Sequence, residues 1–157
     1  MAIKDSGTRR KFESGAVRDI AEGKGRCDLL PLDIISRCVG GTTFHLIEKY
    51  IRTGEITLLY SALERFAIAQ FNDFPTAMLE VAKHYEDGAK KYAERNWEQG
   101  IPLHCYIDSG VRHYLKFMRG DTDEPHDRAF LWNMLGAIWT HINKPELIDL
   151  PFKEVSK

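Results

Sequence analysis

The chain has 157 residues, with 22 Lys and Arg against 23 Asp and Glu and a formal net charge of −1. That length fits one domain with a real core, and the balanced charge lacks the basic footprint of a protein that grips a nucleic-acid polymer. No apolar run is long enough to span a membrane, and residues 1–20 are too polar for a signal peptide. Cys27, Cys38 and Cys105 show no CxxC spacing, so neither a disulfide framework nor a zinc finger is expected, and a reducing cytoplasm is the natural setting.

Residues 1–30 carry little periodicity, and glycines at 7, 15, 23 and 25 interrupt any long helix. They read as an irregular N-terminal arm, open to two interpretations. One is a mobile arm. The other is an anion-binding loop, in which Gly23 and Gly25 let backbone N–H groups approach a phosphate while Arg18, Lys24 and Arg26 neutralise it. No GxxxxGK[ST] pattern is present, so it is not a P-loop.

Pro31 opens the first helix, Leu32, Ile35 and Val39 give it an apolar side, and Gly40-Gly41 stop it. Thr43 is placed to cap a second helix over about 44–52, which Thr53-Gly54 end. A third follows near 56–71, with Leu59, Leu63, Phe66 and Ala67 along one side. These three are assigned to core and subunit packing; a surplus apolar face on the third would suit a homo-oligomer, dimer or tetramer.

After a turn at 72–75, capped by Asp73, a fourth helix is expected over about 76–95. Its apolar face is Met78, Val81, Tyr85, Ala89 and Tyr92. Glu80, His84, Asp87 and Lys91 form a second stripe at i, i+4, i+7 and i+11. That stripe reads either as a solvated face or as a metal-ligand row with Lys91 reaching a phosphate. In the loop at 96–102, Asn96 has the paired donor and acceptor that reading a base edge requires. Trp97 is either a lid on the core or a platform for the base.

A fifth helix over about 103–119 buries Ile107, Val111, Tyr114, Leu115 and Met118, with His104, Asp108 and Arg112 one turn apart along its edge. His113 lies about 140° round from Asp108, so the two are not expected on one ion. Asp108 is favoured as a ligand or water-orienting base, and His113 as a contact to a neighbouring helix or to substrate. An acidic turn at 120–125 leads into a sixth helix that runs to about 141. Its stripe of His126, Ala129, Asn133, Ala137 and Thr140 is small or polar, so it must be satisfied internally or by a ligand. Asp127 falls on the side of Leu131, Met134 and Ile138 and needs a partner: Arg128, Arg112 or a metal. The chain thus divides into the arm (1–30), a helical catalytic domain (31–143) and a tail (144–157).

The densest chemistry lies in 104–133, where three histidines, several carboxylates, Arg112 and Arg128 crowd one helical hairpin. Hard cations take carboxylate oxygens, transition ions suit neutral imidazole, and arginine forks match phosphate. The pattern points to a divalent cation, Mg2+ or Mn2+, held against a polyphosphate. Helical spacing makes Glu80, His84, Asp108, His126 and Asp127 the candidate metal ligands. Asp108, Lys91 and Arg112 are the candidate catalytic groups. Lys24, Arg26, Lys91, Asn96, Trp97, Arg112 and His113 are the candidate substrate contacts.

Four motifs, GKGRCDLLP at 23–31, GAKKYAERNW at 88–97, SGVRH at 109–113 and the GD-D-EPHDRAFLWN segment at 120–133, extend across most of the chain. They resemble the phage-associated dATP/dGTP diphosphohydrolases, the MazZ-like group related to the all-α MazG nucleotide pyrophosphohydrolases. The resemblance implies an all-α, MazG-like, oligomeric helical bundle with a metal-dependent activity. That activity would cut dGTP or dATP to the monophosphate and pyrophosphate in phage purine metabolism, in the host cytoplasm. One departure matters: the ExxE and ExxD patterns of MazG enzymes do not stand in the expected places, so ligand positions cannot be carried across. Two other readings remain. One is an HD-type phosphohydrolase built on His113, His126 and Asp127, with Asp149 as the final aspartate it needs. The other is a nucleotide-binding module without catalysis.

Overall fold

In the computed structural model, which describes residues 5–152, six helices carry the chain. They are α1 (Leu32–Val39), α2 (Thr43–Thr53), α3 (Thr57–Phe71), α4 (Phe74–Lys91), α5 (Leu103–Arg119) and α6 (His126–Asn143). The outermost ends of the expected arm and tail, 1–4 and 153–157, lie outside the described residues. The all-α expectation holds. The one sheet among the described residues is a two-stranded antiparallel hairpin of β1 (Arg9–Lys11) and β2 (Val17–Asp19).

The local signals act as their chemistry predicts. Gly40 and Gly54 end α1 and α2 in the left-handed region, at φ 69° and 71°, where a Cβ would be strained. Asp73 caps α4: its carboxylate accepts from the Thr76 backbone N–H at 2.7 Å. Thr43 is not a cap; it is the first residue of α2 and is buried. The fourth helix also stops earlier than its periodicity implies. It ends at Lys91, and Arg95 enters a 3-10 turn at Asn96–Gln99 with φ 55°. The reason is tertiary, because Asn96 is pulled aside to pair with β2.

α6 is the axis of the bundle. Ten of its residues are buried, and α3, α4 and α5 all pack on it, so it has no broad solvent face to mark it in a periodicity reading. The stripe predicted to be small or polar is fully buried: His126, Ala129, Asn133, Ala137 and Thr140. On the α3 side, Phe66 meets Phe130 edge-on with centroids 4.7 Å apart and also touches Tyr114 and Phe117.

On the α5 side, α5 and α6 approach closely because Gly136 lies under the Tyr106 ring; a Cβ there would sit 2.2 Å from it. We expect Gly136→Ala to lower stability by about 2 kcal/mol, overpacking outweighing its better helix propensity. Gly110→Ala should cost less, since its nearest neighbour is the flexible Met134 methyl. Urea midpoints of the two variants test this ordering.

From residue 5 onward the arm is docked on the helices. Ala16 is fully buried, and Arg18 donates to the Cys105 carbonyl at 3.1 Å and to Asn133 Oδ1 at 3.0 Å. The side chain of Asn96 behaves like a short third strand: it accepts from Val17 N–H at 2.8 Å and donates to Val17 C=O at 2.9 Å. No helix among the described residues is long and apolar enough to cross a membrane.

Candidate active site

Between the arm and the helices lies a cavity of about 360 Å³, a volume suited to a small-molecule ligand. The arm supplies Arg10, Val17, Arg18, Asp19 and Lys24. α4 supplies His84, Gly88 and Lys91, with Tyr92 just past its end, and α5 supplies Asp108, Ser109, Arg112, His113 and Lys116. Asn96, Glu124 from the acidic turn, and Trp132 and Asn133 from α6 also line it. On α4 and α5 these positions recur at three- and four-residue steps, so each helix turns one stripe inward.

The lining carries six cations (Arg10, Arg18, Lys24, Lys91, Arg112 and Lys116) against three carboxylates (Asp19, Asp108 and Glu124). In a chain of net charge −1 this local excess is a field for an anion. The carboxylates hold cations in place. Asp19 accepts from Lys91 Nζ and Arg9 Nη1, both at 2.9 Å. Asp108, buried, accepts from the Cys27 backbone N–H at 2.6 Å and from Arg112. Arg112 also donates to the carbonyls of Lys24 at 3.1 Å and Gly25 at 2.7 Å, clasping the loop that carries Lys24. Arg18 lies between the rings of Tyr106 and Trp132, 5.2 and 5.4 Å from their centroids.

Two histidines face this positive field. Burial, together with Arg128, Lys91 and Arg18, pulls His84 down to about 4, and its Nδ1 is buried without a hydrogen-bond partner. Burial also drives His113 well below its ordinary value. Both imidazoles are therefore neutral near pH 7. A depressed folded-state pKa gives stability that is whole above the unfolded value of 6.5 and is lost as pH falls toward 4. Urea unfolding between pH 7 and 4 should accordingly show a shallower acid loss in His84→Gln than in the parent chain. An unchanged slope would refute the neutral, buried His84.

At the cavity edge, His113, Glu124 and His126 bring three potential ligand atoms together, and Asp121 and Asp123 approach the other nitrogen of His126. The first group pairs imidazole with carboxylate, a donor set that fits a divalent ion. In the second, Asp121 is engaged by Arg119, and Asp123 accepts from His126 Nε2 at 2.8 Å.

The structure sorts the residues singled out from sequence. Lys24, His84, Lys91, Asn96, Asp108, Arg112 and His113 line the cavity. His126 stands just behind it, 3.0 Å from His113 through their Nδ1 atoms. Glu80, Asp127, Arg26 and Trp97 are not brought in. Glu80 pairs with Lys83 and Arg128. Asp127 accepts from the Arg128 backbone N–H, as first-turn carboxylates do. Arg26 pairs with Asp28. Trp97 packs edge-on against Trp139 at 5.1 Å, a lid on the core. Asn96 lines the cavity, but Val17 engages both ends of its amide.

The sequence reading passed over Arg10, Asp19, Lys116 and Trp132 as site residues and gave Glu124 no ligand role. Of these, Glu124 carried a signal, two residues before His126 in the acidic turn, and so did Lys116, one helical turn beyond Arg112 on the stripe that holds Asp108. Arg10 and Asp19 lie in a segment without periodicity, where the side facing the helices cannot be read.

A helical bundle enclosing a cationic cavity with an imidazole–carboxylate cluster at its edge defines a class: a protein built to hold a small polyanion. The family model described as dATP/dGTP diphosphohydrolase, N-terminal, matches residues 56–150. That is more than half of the chain, and the chain belongs to this family of enzymes. The matched stretch covers α3 to α6 and leaves the arm outside. No curated protein and no solved structure matches the chain.

Proposed function

We propose that the chain hydrolyses dGTP or dATP to the deoxynucleoside monophosphate and pyrophosphate in the cationic cavity, with a divalent cation as cofactor. The observation that carries this reading is the excess of cations over carboxylates in one enclosed wall of a chain from this family. A triphosphate needs such a wall, and pyrophosphate leaving from the α-phosphorus concentrates negative charge there.

Lys24, Lys91 and Lys116 meet the phosphate oxygens. Arg112 positions the Lys24 loop through its two carbonyl bonds. Trp132 and Tyr92 offer the aromatic surface for the purine that Trp97 does not. His113, Glu124 and His126 would hold the cation, which supplies charge neutralisation and activation of water. The same reading pairs copies through the outer side of α3, where Tyr60 and Ile68 are exposed.

Incubation with a panel of deoxynucleoside and ribonucleoside triphosphates, with the metal varied, tests the activity. The expected products are dGMP or dAMP and pyrophosphate. Release of triphosphate or orthophosphate, or absence of turnover, would overturn it. Triphosphate release is the mark of the HD alternative, whose final aspartate is poorly placed. Asp149 accepts from the His104 backbone N–H at 2.9 Å, at the first turn of α5. That is nine residues, about 13 Å, from His113 along the helix. Metal-independent binding without turnover is the mark of a non-catalytic module.

A further inference from the structure

The rim cluster bears on which cation the site takes, and so rests on and deepens the proposed function. The last turns of α5 and the first turn of α6 face each other across the acidic turn, which brings His113 opposite His126. The two Nδ1 atoms are 3.0 Å apart. Glu124 Oε1 lies 3.7 Å from His113 Nδ1 and 3.8 Å from His126 Nδ1. Adjacent ligands round a first-row divalent ion, with metal–ligand distances of about 2.1 Å, stand roughly 3.0–3.5 Å apart. The triangle is therefore close to a coordination edge set and needs only a small inward shift of Glu124.

An independent observation fixes the direction of the His126 lone pair. His126 is 3% exposed, and its Nε2 lies 2.8 Å from Asp123 Oδ1. The Nε2–H donates to that carboxylate, so in the neutral ring Nδ1 is the bare nitrogen, aimed at His113 and Glu124. A carboxylate holding the far nitrogen of an imidazole is the arrangement that orients a ligand histidine and raises its basicity. Between two imidazole nitrogens this close, one must carry a proton or a cation must take its place. Lys116 Nζ, 3.5 Å from Asp123, braces the same turn.

We propose that His113, Glu124 and His126, with Asp123 as a positioning residue, form a two-imidazole, one-carboxylate centre selective for a first-row transition ion over Mg2+. Mg2+ asks for oxygen ligands and gives up water reluctantly, so two nitrogens of three suit it badly. Imidazole favours the transition series, and affinity rises from Mn2+ to Co2+. His113 and Glu124 also line the cavity, so an ion held by them would be open to it. Substrate oxygens and water would reach the ion from that side.

The test uses the full chain, stripped by chelation and free of nucleotide. Calorimetry follows titration with Co2+, Mn2+ and Mg2+, and visible absorption of Co2+ reports its ligands. One ion per chain is expected, with Co2+ tighter than Mn2+ and both tighter than Mg2+ by at least about tenfold. Asp123→Asn should weaken Co2+ about 10- to 100-fold. Glu124→Gln should weaken it further and change the Co2+ spectrum. Because His126 is buried, Glu124→Gln is the deciding variant, with circular dichroism melting as the check that it remains folded. Equal affinity for Mg2+ and Co2+, or a folded Glu124→Gln that keeps parental Co2+ affinity, would overturn the site. Pyrophosphate release alongside either result leaves the activity standing without this centre. Glu124-dependent Co2+ binding without nucleotide turnover leaves the centre standing without the activity.

Discussion

Arg112→Ala is expected to lower stability by about 3 kcal/mol, a fall of about 6–12 °C in Tm for a chain of this size. The guanidinium is mostly buried and holds three groups at once: the Asp108 carboxylate and the carbonyls of Lys24 and Gly25. Without it, Asp108 keeps the Cys27 N–H but remains a buried carboxylate with no cation against it. An uncompensated buried charge costs far more than the net worth of the pair.

The double variant Asp108→Asn/Arg112→Ala should therefore recover part of the loss, since the neutral amide keeps an acceptor for Cys27. Differential scanning calorimetry of the two singles and the double measures the coupling. Additive losses would refute the latch. Turnover should fall with Arg112→Ala as well, because the loop that presents Lys24 loses its clasp.

Lys91→Ala should reduce kcat by about 10²- to 10³-fold on dGTP, the range for removing one donor aimed at charge that develops in a transition state. Its side chain is only 7% exposed and projects from α4 into the cavity wall beside Asp19. The fold should lose little, about 1–2 kcal/mol, because Asp19 keeps its second partner, Arg9, at 2.9 Å. Steady-state kinetics and a urea titration on the same preparation separate the two effects. A kcat within threefold of the parent would remove Lys91 from the catalytic machinery. A collapse of stability would show that its role is in folding.

Helix starts and stops were legible because they depend on the nearest few residues. Gly40, Gly54 and Asp73 act through backbone geometry and caps, whatever lies across the core. Much of the candidate site was legible for a related reason: His84, Lys91, Asp108 and Arg112 sit on single helices, and helical spacing aligned them. The same spacing placed Glu80 in line with His84, yet Glu80 turns to Lys83 and Arg128 instead. One helical turn is enough to move a side chain from the cavity to its outer edge, and periodicity alone cannot say where the edge falls. Nor could it foresee that α4 ends at Lys91, since what ends it is Asn96 pairing with a strand 79 residues earlier in the chain.

By itself the amino-acid sequence determined the helical class, the boundaries of α1, α2, α3 and α5, the buried stripe of α6 and the family, through propensities, caps and ordered motifs that act over short spans. Only the tertiary structure decided which charges meet. Arg18 reaches Asn133 across 115 positions, and Cys27 reaches Asp108 across 81. His113 faces His126 because two helices fold back on a short acidic turn. A charged side chain gains or loses free energy according to what surrounds it after packing, and that environment is set by contacts between distant parts of the chain.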